Sequence, residues 1–185
     1  MRITKNFSTD QENIIRFLDA LGGATTFLSS SKNAGPGFFI FANTFISEYI
    51  ADSFFKKEEL LVRALIDNGF PSDDGPIGLM RVEQEKCRAA AEHMWSASKG
   101  WQAGDDEARV EVGWAASEYT STLRQHLDRL KTRIFPLLEQ NMSPEDEHKI
   151  LEGLNTIAFE NSLKGDADKY VKLIENLEEE LSDWK

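Results

Sequence analysis

Histidine and cysteine are scarce in this chain of 185 residues: there are three histidines and one cysteine, Cys87. A single cysteine makes no internal disulfide and no cysteine-based metal cluster. Prolines number only five, so long helices meet few interruptions. No apolar run approaches the roughly 18 residues of a membrane span, and the opening stretch MRITKNFSTDQEN lacks the apolar middle of a secretory signal. A cytoplasmic protein is the expectation. Basic charge is also short, 21 Lys and Arg against 32 Asp and Glu, a net −11. Such a chain is a poor match for phosphate backbones, so nucleic acid is not an expected partner.

What is present is helical periodicity. From about 9 to 30 the residues Gln11, Ile14, Leu18 and Leu21 recur at steps of three and four, with Ser8-Thr9-Asp10 as candidate caps. After SSSKNAGPG (29–37) a second helix is expected over 38–67, carrying Ile46, Ile50, Phe54, Glu58, Leu61 and Leu65. A third begins near Pro76, with Ile77, Met80, Gln84, Cys87, Ala91 and Met94. A fourth covers about 105–140, with Tyr119, Leu123, His126, Leu130, Ile134 and Leu137, and Pro136 is expected to kink or end it. Asn141-Met142-Ser143-Pro144 caps a fifth helix at about 144–161. A sixth follows Gly165-Asp166, its Tyr170, Ile174, Leu177, Leu181 and Trp184 spaced by fours and threes. No strand of useful length is expected. The pattern predicts one all-α domain over 1–185: an up-down four-helix bundle at about 9–140 and two added C-terminal helices at about 144–184.

Each long helix places one polar group on its apolar face: Gln11, Glu58, Gln84 and His126. Glu58 and Gln84 fall ~12–14 Å from the same bundle end if neighbouring helices run antiparallel. A carboxylate on such a face requires a partner. Solvent at the bundle edge, an internal hydrogen-bond network and a functional pocket or metal site all satisfy that requirement. Cys87, on the same face, reads as a small buried hydrophobe.

Local motifs go further. Lys57-Glu58-Glu59, Gly75-Pro76-Ile77, Arg88 after Val82-Glu83-Gln84, and His126 leading to Phe135-Pro136 make the chain resemble the hemerythrin-like, HHE cation-binding family over nearly its whole length. The resemblance implies a four-helix bundle with paired irons held by histidines and bridging carboxylates. The ligand positions have changed, however. Those of the first three helices fall on Gln11, Phe54 and Gln84, with Glu58 kept. In the fourth, His126 is kept but its carboxylate position is Leu130. Phenylalanine and leucine donate nothing to a metal.

The expectation is therefore a degenerate member with no cofactor, acting by binding an unknown small ligand or protein partner. Arg88, one turn after Gln84, is expected to neutralise Glu58. Two alternatives keep the old site in use. One is a reduced iron site at Glu58 and His126, sensing oxygen, iron or nitric oxide. The other is a metal-independent enzyme with Glu58 as base and His126 as acid. Residues 141–185 hold 12 acidic and five basic residues, and the apolar face from Tyr170 to Trp184 seats either on the same bundle or on a second copy, giving a homodimer.

Overall fold

The computed structural model describes residues 2–166 and 168–185. These fold into six helices, with no strand among the described residues. Helix α1 is Arg2–Phe27. Helix α2 is a continuous rod over 36–67, formed by α-helical Pro36–Thr44, a π-helical segment Phe45–Phe54 and α-helical Phe55–Asp67. Helix α3 is Gly75–Gln102. Helix α4 covers 108–141, with a π turn at Leu130–Ile134. Helices α5 and α6 are Pro144–Leu163 and Lys169–Ser182. None among the described residues is long and apolar enough to cross a membrane.

Helix α3 lies along α4 and also meets the start of α2, while α1 packs on α4. Aromatic rings join α1 to α2: Phe17 stacks on Phe45 at 4.4 Å between ring centres, and Phe7 meets Phe54 edge-on at 5.9 Å. Helix α5 covers the last part of α2, and α6 covers α1 and the start of α2.

Three sequence expectations need correction here. Helix α1 begins at Arg2, before the Ser8-Thr9-Asp10 caps, because Ile3 and Phe7 are fully buried and extend the apolar stripe backwards. Burying two large side chains, worth roughly 1.5–3 kcal/mol each, outweighs a cap worth about 1 kcal/mol. Pro136 does not end α4, which runs on to Asn141. The π turn precedes it, so Pro136 falls in the first turn of the resumed α-helix, where a missing N–H costs little. Leu138 rather than Leu137 takes the last core place of α4.

The apolar face of α6 seats on its own chain. Ile174, Leu177, Leu181 and Trp184 are buried, and the Trp184 ring lies 5.0 Å from Phe38 and 6.2 Å from Phe39. Gly23 makes room for it: a Cβ there would come within 2.9 Å of Leu181 Cδ2.

Candidate functional site

Three helices send ionisable groups to one buried point. Glu58 stands in the first turn of α2 after its π segment, Glu83 and Gln84 on α3, and His126 and Arg129 one turn apart on α4. Glu58 and His126 have no solvent exposure at all. His126 Nε2 donates to Glu58, at 2.7 Å from Oε2 and 2.9 Å from Oε1. Gln84 Nε2 donates to Glu58 Oε1 at 3.0 Å. On the other side of the ring, His126 Nδ1 faces Glu83 Oε1 at 3.3 Å, and Arg129 Nε donates to the same oxygen at 3.1 Å. The Phe55 ring closes the site edge-on at 5.7 Å from the imidazole. With His126 charged, two carboxylates face two cations and the cluster is neutral. It reaches water mainly through Arg129.

Burial by itself disfavours charge on His126. The Glu58 carboxylate, by charge and hydrogen bond, and Glu83 outweigh this and push the pKa up from 6.5 to about 9. Burial would likewise raise Glu83, but hydrogen bonds and charge from His126 and Arg129 hold its carboxyl below the ordinary 4.5. The two shifts bound a pH window. The His126 contribution to stability is complete below 6.5 and is lost as pH rises through about 9. That of Glu83 is present above 4.5 and is lost as pH falls through its depressed folded value. Thermal unfolding should therefore show a maximum at roughly pH 5–6.5. His126→Leu should remove the fall on the alkaline side. A wild-type midpoint that stays flat from neutral pH to pH 9 would contradict a charged imidazole.

Cys87 borders the network and is buried. Burial first, then the Glu58 and Glu83 charges, pushes its thiol up to about 12, so it stays protonated, as a small core residue.

The network differs from the sequence reading in several places. Glu58, Gln84 and His126 do converge. Gln11 does not join them: Phe7 and Ile14 hold the inner stripe of α1, and Gln11 lies half-buried in an open cleft beside Ile15, Leu127 and Phe135. Arg88 does not neutralise Glu58. Its side chain is 58% exposed and pairs with Glu85 at 3.0 Å, keeping the guanidinium hydrated while His126 supplies the buried counter-charge. Phe54 is buried against Phe7 and Phe55, and the ring against His126 is Phe55. Leu130 is fully buried, in the π turn. Glu83 and Arg129 were missed. Their signals were spacing: Glu83 is four residues before Cys87, and Arg129 three after His126.

The donor set does not fit a di-iron centre. It holds one imidazole, whose two nitrogens both face carboxylates, and Phe54 and Leu130 offer no ligand atom. Among the described residues no three His, Cys, Asp or Glu side chains form a group able to hold a metal ion.

Open space lies elsewhere. A cleft of about 470 Å³ opens between α1, the π segment of α2, and the α5–α6 junction. Lys57 Nζ donates to Asp10 Oδ2 at 2.6 Å, the Tyr49 hydroxyl donates to Asp10 Oδ1 at 2.7 Å, and Asn13 donates to the Tyr49 oxygen at 3.0 Å. Burial and the nearby Asp10 charge push the Tyr49 phenol well up, so it stays neutral. Opposite, Lys169 and the Tyr170 hydroxyl both donate to Glu48 Oε1, at 2.9 and 3.2 Å. A groove of about 210 Å³ runs over Phe55, Cys87, Trp95 and Tyr119. Glu58 and His126 line neither of these spaces, nor the open cleft at Gln11.

Comparison of the chain with models of known families, with curated proteins and with solved structures gives no match.

Proposed function

We propose that this chain is a hemerythrin-like four-helix bundle, extended by two C-terminal helices, that has lost its di-iron site and works by binding a small ligand or a partner rather than by catalysis. The family reading rests on the motifs around Lys57-Glu58-Glu59, Gly75-Pro76-Ile77 and Phe135-Pro136, and on an all-helical fold that brings Glu58, Gln84 and His126 together. The observation that carries the loss of metal chemistry is the enclosure of His126 between Glu58 and Glu83. An imidazole that donates from both nitrogens has no lone pair for a metal. The two alternatives, a reduced iron site and an acid–base pair, both need an open face on Glu58 or His126. The cluster offers none: both side chains are fully buried and each hydrogen-bonds within it. The cytoplasm is the compartment proposed with this reading.

Elemental analysis and an optical spectrum, on protein purified without a metal affinity column, test the proposal. No stoichiometric metal is expected, either as purified or after incubation with ferrous iron and removal of the excess. A pair of irons per chain with oxo-bridge absorption would overturn it. Metal lost on Glu58→Ala would support the reduced site instead.

A further inference from the structure

Resting on the binding reading above, we propose that the cleft between α1, α2, α5 and α6 binds a small zwitterion, one short molecule that carries both an ammonium and a carboxylate. Two of the three lysines on its walls are already paired. Lys57 is spent on Asp10 and Lys169 on Glu48. The Asp166 carboxylate accepts the backbone N–H of Asp168. Two charged side chains on the walls stand outside every ion pair and hydrogen bond described: Asp52, on the π segment of α2, and Lys164, just past the end of α5. Both are exposed, one negative and one positive, and both line the same space.

The walls also carry two tyrosines. Tyr49 and Tyr170 meet edge-on at 5.3 Å, and both phenols stay protonated, Tyr170 through burial and the Glu48 charge. Lys169 lies 5.3 Å over the Tyr170 ring and Tyr49 stacks on Phe45 at 4.6 Å, so the rings supply an apolar wall and the Asp52 carboxylate is the group that takes an ammonium. Lys164 then answers the carboxylate of the same molecule. An inorganic anion is a poorer match, since Lys57 and Lys169 are already neutralised. A simple amine would leave Lys164 with no direct ion pair, only the charge of Glu160, which Lys56 already bonds. The volume, about 470 Å³, lies in the range of small-ligand sites.

Titration calorimetry of the full chain with L-phenylalanine, L-phenylalaninamide and N-acetyl-L-phenylalanine separates these cases. The free amino acid should bind, and each singly charged analogue should bind at least about tenfold more weakly, a difference of about 1.4 kcal/mol. Asp52→Asn should reduce the amino acid to the level of the N-acetyl compound, and Lys164→Gln to that of the amide. Both changes are on exposed side chains, so folding is preserved. Equal binding of the amide overturns the proposal in favour of a plain cation site. Equal binding of the N-acetyl compound, or no heat with any of the three, overturns it outright. The metal-free reading is judged on iron content and stands or falls separately.

Discussion

His126→Leu should lower the free energy of unfolding by about 3–5 kcal/mol, the range found when one partner of a buried ion pair is removed. The substitution leaves the Glu58 carboxylate fully buried with only the Gln84 amide as donor, and Glu83 with only Arg129. Leucine fills part of the space, so the loss is electrostatic before it is steric. Urea unfolding measures it. The same change at His148, a 71% exposed residue, should fall within about 0.5 kcal/mol of wild type. Removing both charges together is the sharper comparison. Glu58→Met with His126→Leu should cost less than the sum of the two single changes, because neither then strands the other. A single-variant loss under about 1 kcal/mol would mean that the network contributes little beyond filling space.

The second large effect lies at the far end of the chain. Trp184→Ala should destabilise by roughly 3–5 kcal/mol, as removal of a buried tryptophan does. The ring fills a seat against Phe38 and Phe39, and its loss removes the C-terminal end of the apolar contact that holds α6 on α1 and α2. Tryptophan fluorescence and thermal unfolding report it together. Because the seat is on the same chain, the wild-type midpoint should not depend on protein concentration. A midpoint that rises with concentration would point to a second copy sharing this surface.

Much of the fold was legible in the sequence because burial is periodic. The six helices, the buried series Ile46 to Leu65, and the face of α6 all follow from steps of three and four. Local chemistry set the breaks well too: Asp74 caps α3 through the Gly75 N–H, and Ser143 with Asp146 forms a capping box at α5. The site was less legible. Glu58, Gln84 and His126 stood out as polar residues on apolar stripes. Glu83 and Arg129 did not, since a charged residue beside a stripe looks solvated until a neighbouring helix covers it. Gln11 failed for the opposite reason: steps of three and four put it beside Phe7 and Ile14, but the buried face of α1 is centred on Ile3, Phe7, Ile14, Phe17 and Leu21, which leaves Gln11 at its edge. The cleft was not legible at all, because its walls come from four elements distant in sequence.

The π segments have a signature in the sequence. Ile46, Ile50, Phe54 and Glu58 make three consecutive steps of four, as do His126, Leu130, Ile134 and Leu138, and each run crosses a π segment. On a regular α-helix each such step drifts by about 40°, so three of them would swing the stripe out of the core. The wider π turn absorbs the drift and keeps all four residues buried.

That arrangement makes α2 sensitive to residue count as well as to residue identity. Its first half carries the seat for Trp184, its middle lines the cleft shared with α1, α5 and α6, and its last part delivers Glu58 to the interior. The angular phase between these three faces is set by how many residues separate them and how those residues are wound. The wider π segment can take up the loss of one residue by tightening to α-helical geometry, whereas removing one from the α-helical residues 55–57 would turn Glu58 by about 100° and carry it out of reach of His126 while every side chain kept its chemistry. Along this rod, point substitutions are graded changes, whereas an insertion or deletion in an α-helical part acts like a slipped gear tooth and desynchronises the two ends.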